Sequence, residues 1–217
     1  RGYVEKEEYR TGAGTKNAAA YLAKNGFITV SPDFLGYGQS DPEPDSDLKS
    51  RFIRPATVLQ LIASFGDQKI GLWGHSNGGQ IALSVLELTD KVIPTTLWAP
   101  VSKPFPYSIL YYTDDIDDHG RYLIGLTAEF EKVYDAEKFS LTNYFSLIKS
   151  PVQLHQGTAD ESVPKKWSDD LAKALKKENI KVNYFTYLGA DHNLKPASPA
   201  GGPGWDMAVK RDREFFE

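Results

Sequence analysis

Ser76 stands in the stretch GHSNGG (residues 74–79), directly after the apolar run Lys69 to Trp73 and directly before a helix-like pattern over residues 80–88. A strand that turns sharply into a helix leaves little room for side chains. Glycines at 74 and 78 remove two Cβ atoms that would clash. The residue between them is forced into a strained conformation, with its side chain clear of the sheet. A serine so placed can attack a carbonyl, provided that a base takes its proton and an acid orients the base. The N–H of Asn77 opens the following helix, where partial positive charge favours a developing oxyanion. Gly-x-Ser-x-Gly also occurs in ordinary turns, so the strand before it and the helix after it carry the assignment of a nucleophile elbow.

The elbow requires an Asp or Glu and then a His, both downstream and both following strands. The chain has four histidines. His75 lies inside the elbow and is expected to face away from Ser76. His119 falls in an irregular segment, and His155 within an apolar strand, where a core role suits it better. His192, in YLGADHNL after the apolar run Val182 to Tyr187, has the required placement. For the acid, Asp160 in HQGTADESVP follows the strand Pro151 to Gln156; Glu161 is the fallback, and Asp191 reads as a turn residue beside the histidine.

Helix-like and strand-like segments alternate along the chain. Helices are expected over residues 15–25, with Gly26 as the stop, and over 49–64, 80–88, 165–178 and 205–217. Strands are expected at Phe27 to Val30, Lys69 to Trp73, Val92 to Ala99, Pro151 to Gln156 and Val182 to Tyr187. This alternation implies an α/β fold, a mostly parallel, doubly wound sheet with helices on both faces and its site at the carboxyl ends of the strands. Residues 101–149 show no clear period and many aromatics, and read as a lid-like insertion. Within it Tyr107, Tyr111 and Tyr112 are candidates to line a substrate pocket, and Phe105 is a weaker one. Asp114, Asp115, Asp117 and Asp118 suit a solvated acidic turn better than a cation site, and Trp167 suits the core.

Hydrophobic residues make up 41% of the 217 and charged residues 25%, with a net charge of −4 and dispersed cations. That balance is globular and asks for no nucleic acid or anionic membrane. No apolar run approaches the length of a membrane span. The chain has no cysteine, which rules out disulfides, thiolate nucleophiles and zinc–thiolate sites but leaves the compartment open. No metal or organic cofactor is called for.

GHSNGG, HQGTADESVPKKW and GADHNL, with SPDFLGYGQSD upstream, resemble the α/β-hydrolase superfamily, and most closely the catalytic domains of the prolyl oligopeptidase family and of dienelactone-hydrolase-like esterases. The resemblance implies one α/β-hydrolase catalytic domain over residues 1–217. It also implies that the opening strands of that fold lie upstream of Arg1 or on a companion chain, and that a second oxyanion donor lies near Tyr3, as an N–H or as the tyrosine hydroxyl. The implied activity is hydrolysis of small esters through a Ser76–His192–Asp160 triad, with short peptides as the alternative substrates and a non-catalytic binding module as a third possibility.

Overall fold

Runs of apolar residues closed by glycine or proline become strands, and periodic segments between them become helices. The computed structural model describes residues 8–11, 13, 15–43, 47–115, 117–196 and 204–217. Four strands, β1 (Leu72–His75), β2 (Thr95–Trp98), β3 (Val152–Gly157) and β4 (Val182–Tyr187), lie side by side in that order. All are parallel, with Leu72 opposite Thr95, Thr95 opposite Val152, and Val152 opposite Val182. Their carboxyl ends therefore share one rim. Around them run α1 (Lys16–Lys24), α2 (Asp47–Ser64), α3 (Asn77–Glu87), α4 (Tyr107–Leu110), α5 (Arg121–Glu131), α6 (Lys165–Lys177) and α7 (Trp205–Phe216).

Strand side chains alternate between faces, and the core divides accordingly. Leu72, Leu97, Leu154, Val182 and Tyr184 pack with Ile62 of α2, Leu83 and Leu86 of α3, and Leu171 and Leu175 of α6. Their neighbours Trp73, Trp98, Phe185 and Tyr187 pack with Tyr21 of α1 and Ala208 and Val209 of α7. Helices thus cover both faces, as parallel sheets require. Each leucine shielded as fully as Leu83, Leu97 or Leu154 contributes roughly 1.5–3 kcal/mol over an exposed one.

The second face holds a buried polar network. Asp212 of α7 is 1% exposed and accepts hydrogen bonds from Trp73 Nε1 at 3.1 Å, Trp98 Nε1 at 2.9 Å and Gln153 Nε2 at 3.1 Å. His155 Nε2 lies 3.0 Å from its Oδ1, close but poorly aligned for a hydrogen bond. Arg211 donates to the Tyr187 hydroxyl, which also hydrogen-bonds His155 Nδ1, 2.6 Å away. His155 is a core residue that helps to pin α7 to the sheet.

Three expectations need correction. Phe27 to Val30 do not form a buried strand: Ile28 is 92% and Val30 52% exposed. Among the described residues no strand lies beside this segment to pair with it, and β1 is an edge. The elbow strand begins at Leu72, where pairing with β2 begins, and not at Lys69. The 101–149 segment is less irregular than its sequence suggests. It holds the eleven-residue α5, in which Thr127 is the one buried residue and Phe130 packs against Phe52, Phe105 and Phe139. Asp118 caps this helix, accepting from Gly120 N at 2.8 Å and Tyr122 N at 2.9 Å.

At the end of α3, Glu87 Oε1 is buried with no hydrogen-bond partner among the described residues, and burial pushes the carboxyl up to about 9. The folded chain keeps a proton there that the unfolded chain releases near 4.5, so stability falls as pH rises between those values. Glu87→Gln is expected to raise the melting temperature at pH 8 by a few degrees, on the order of 1 kcal/mol, and to leave it unchanged near pH 4.5. Thermal melts at the two pH values check this.

Candidate active site

Ser76 links β1 to α3 with φ 56 and ψ −120. A side chain other than glycine's is strained there, at a cost of roughly 1–3 kcal/mol. The surroundings hold the strain in place. Ser76 N–H donates to Trp98 O at 2.9 Å, and its carbonyl accepts from Gly79 N at 2.9 Å and Val101 N at 3.1 Å. A Cβ on Gly74 would stand 2.5 Å from Gly78 O, so the elbow can close only around glycine. Asn77 is the first residue of α3, and its N–H has no acceptor within the helix.

The carboxyl end of β3 meets the loop after β4 at Gly157. A Cβ there would lie 2.3 Å from Ala190 O and 2.4 Å from Asp191 O. The missing side chain allows Ala159 N–H to bond Ala190 O at 3.0 Å and Thr158 N–H to bond Tyr187 O at 3.0 Å. Just beyond these bonds the loops present Asp160 and His192. The Asp160 side chain is fully buried. Its Oδ1 accepts from Ser162 N at 2.9 Å and Val163 N at 2.8 Å; its Oδ2 accepts from Gln156 Nε2 at 2.8 Å and His192 Nδ1 at 2.9 Å. Burial opposes ionisation of this carboxyl. The bonds from His192, the Val163 N–H and Gln156 outweigh it and hold Asp160 below the usual carboxylate range. A carboxylate only accepts, so His192 Nδ1 carries the proton and Nε2 keeps a free lone pair. A base with that tautomer can take a proton from a hydroxyl. Glu161 is exposed, and Asp191 Oδ1 caps the turn through Asn193 N and Lys195 N, both at 2.8 Å.

His75 ties His192 to the elbow. Its Nε2 lies 3.0 Å from the carbonyl oxygen of His192, and the two rings are 4.6 Å apart. Burial, then the neighbouring His192, pushes His75 down to about 4, so it is neutral at pH 7 and donates from Nε2. Sequence order alone gave it no role. The structure makes it the link between the elbow and the backbone that carries the His192 imidazole.

The three candidate tyrosines stand around Trp167. Tyr111 and Tyr112 rings stand 4.8 and 6.2 Å from the Trp167 ring, and Tyr107 stands 6.1 Å away. Tyr112 and Trp167 pack with Ala99, Val101 and Val163, and the Val101 N–H holds the Ser76 carbonyl. The aromatic wall is therefore one residue removed from the elbow. Trp167 is 4% exposed, while Tyr107 and Tyr111 are 49% and 40% exposed, so the tryptophan backs the wall and two tyrosines face outward. Behind them Arg51 of α2 donates to Ser108 Oγ at 3.0 Å. Burial, then Arg54, lowers its guanidinium to about 10. Nothing in the sequence distinguished Arg51 from other helix cations. Tyr3 lies outside the described residues. Among the described residues no group of three His, Asp or Glu side chains is placed to hold a metal ion, and no helix is long and apolar enough to cross a membrane.

Comparison with known proteins gives the family. A model of the α/β hydrolase fold matches residues 15–95, and a model of the prolyl oligopeptidase family matches residues 59–200, well over half the chain. A Schizosaccharomyces pombe protein that carries the provisional name dipeptidyl aminopeptidase is 26% identical over 147 residues, covering 65% of this chain and 16% of the relative. The chain thus spans a small part of that relative's length. A Mycobacterium tuberculosis puromycin-hydrolyzing peptidase superposes with a TM-score of 0.54 at 25% identity, over 74% of this chain and 24% of that one. A Paleococcus ferrophilus monoacylglycerol lipase shares the fold, with a TM-score of 0.66 at 19% identity over 96% of this chain and 90% of that one. With its strand–serine–helix elbow and its parallel sheet covered on both faces, the chain is a hydrolase of the α/β fold and belongs to the prolyl oligopeptidase family.

Proposed function

We propose that Ser76, His192 and Asp160 form a catalytic triad that hydrolyses short peptides and aminoacyl amides through an acyl-enzyme. The observation that carries this is the 2.9 Å bond from His192 Nδ1 to a fully buried Asp160, in a loop that His75 fastens to the elbow. Ser76 Oγ attacks the substrate carbonyl while His192 Nε2 takes the hydroxyl proton. Asp160 stabilises the imidazolium that forms. The Asn77 N–H, with Tyr3 as the candidate second donor, holds the tetrahedral oxyanion. The imidazolium returns the proton to the leaving amine, whose C–N bond breaks and leaves the acyl group on Ser76. Water then attacks the acyl-enzyme, giving its proton to His192, and the acid departs as Ser76 recovers its hydrogen. No step calls for a metal or an organic cofactor.

Membership of a peptidase family supports amides as substrates, and so do the names of the Schizosaccharomyces relative and the mycobacterial peptidase. This reverses the order expected from sequence, where small esters came first. Carboxylic esters are the second reading, favoured by the exposed aromatic faces of Tyr107 and Tyr111, which suit an acyl chain as well as an apolar side chain. We place the substrate against this wall, with residues 101–149 as a lid over the rim. Assays on aminoacyl p-nitroanilides and p-nitrophenyl esters, with fluorophosphonate labelling, distinguish the two. Turnover of the nitroanilides with labelled Ser76 is expected. Turnover of esters alone would favour the second reading, and an unlabelled Ser76 would remove both.

A further inference from the structure

Gln156 is 0% exposed, the penultimate residue of β3, and carries no charge of its own. Its amide is nonetheless fully engaged. Oε1 accepts the hydroxyl of Ser168, itself 0% exposed, at 2.7 Å. Nε2 is 2.8 Å from Asp160 Oδ2, 3.1 Å from Gly157 O and 3.3 Å from Val163 O. The two amide hydrogens thus face three acceptors, the carboxylate being the nearest and the only charged one. Val163 brackets the pair, because its N–H holds Asp160 Oδ1 while its carbonyl faces the Gln156 amide. The amide cannot turn over without placing its own oxygen against a carboxylate.

We infer that Gln156 is a positioning residue of the triad: locked by Ser168, its N–H fixes the Asp160 oxygen that orients His192. This role rests on the triad assignment above. The donor does two things. It holds the plane of a buried carboxylate, and it draws charge away from the oxygen that His192 uses, which weakens that oxygen's hold on the imidazolium proton. Ser168 also follows Trp167, whose carbonyl accepts from Ser102 Oγ at 3.2 Å and whose ring backs the tyrosine wall. One turn of α6 therefore supports both the wall and the acid.

The ionisable groups facing the pair are few. His192 and His75 act on Asp160 from the elbow side. On α6, Lys165 is engaged with Asp169 and Lys166 with Asp170, and Lys103, from the loop after β2, also pairs with Asp170. Asp191 is held by its own turn, and Glu161 is exposed.

The test uses Gln156→Glu and Gln156→Leu, assayed with p-nitrophenyl acetate across pH, with thermal melts of each. In the first variant the introduced carboxyl matches the amide in shape and, while protonated, donates to Asp160 as the amide does. Once ionised it sets a second carboxylate against the first. The Gln156→Glu variant is therefore expected to be active only above the low-pH limb set by His192 and below the ionisation of the introduced carboxyl, so its profile gains a descending limb that the unsubstituted chain lacks. Gln156→Leu removes the donor. Its kcat is expected to fall about 10-fold with KM within about 2-fold, and its low-pH limb to move to higher pH. A purely structural Gln156 would lower the melting temperature and leave both profiles in place. That outcome overturns the proposal, as does unchanged kcat. If Gln156→Leu fails to fold, the isosteric Gln156→Glu variant decides through its limb. Fluorophosphonate labelling of the unsubstituted chain separates the two levels. Labelled Ser76 with unaltered profiles in the two variants overturns this proposal alone, and unlabelled Ser76 overturns the triad with it.

Discussion

Ser76→Ala is expected to lower kcat by about a millionfold while leaving the fold intact, since a triad acts as a unit and loses almost all of its advantage with its nucleophile. Alanine keeps the Cβ and leaves the backbone bonds of residue 76 to Trp98, Gly79 and Val101 in place. It also keeps the strained φ of 56, so the melting temperature should move little. Substrate binding should persist, because Asn77 and the aromatic wall are untouched. Ser76→Gly is the informative companion. Glycine accepts the elbow conformation without strain, so this variant should be equally silent and more stable by about 1 kcal/mol. Single-turnover assays and thermal melts of both variants check this. Turnover retained by Ser76→Ala would leave the mechanism without its first step.

Asp160→Asn should cost about 10⁴-fold in kcat, and the donors around the carboxylate say why. Two backbone N–H groups, from Ser162 and Val163, point at Oδ1, so the amide oxygen of an asparagine is drawn to that position. Its NH₂ then replaces Oδ2, facing His192 Nδ1 and the Gln156 amide. His192 Nδ1 can satisfy that NH₂ only as an acceptor, which moves the imidazole proton to Nε2, the nitrogen that must take the Ser76 proton. The substitution thus installs the wrong tautomer, and it also sets the new NH₂ against the Gln156 amide donor that Ser168 holds in place, so the plane of the side chain is disturbed as well. KM should change little, and fluorophosphonate labelling should slow in parallel with kcat. Labelling at the unsubstituted rate would show that Asp160 does not orient the base.

The sequence by itself determined where the residues of the proposed triad fall. Ser76, Asp160 and His192 each sit just past an apolar run, in loops short enough to leave little choice of position. The long helices α6 and α7 were legible through local apolar periodicity. Only the tertiary structure decided what those loops meet. Gly157 reads as one more glycine until the Ala190–Asp191 backbone is seen packed against it. His75 and Gln156 have partners 117 and 4 residues away, and neither spacing is a signal that a strand period carries. Asp212 draws two tryptophans, a glutamine and a histidine around one carboxylate from separate segments of the chain. Phe27 to Val30 shows the converse. Its residues have strand propensity, but a strand exists only with a neighbour to share its hydrogen bonds, and pairing is a property of the whole sheet. Local sequence specifies which groups can react and roughly where the chain turns. Distances between segments far apart in sequence, and the burial that sets their protonation, arise only when the sheet and its helices pack.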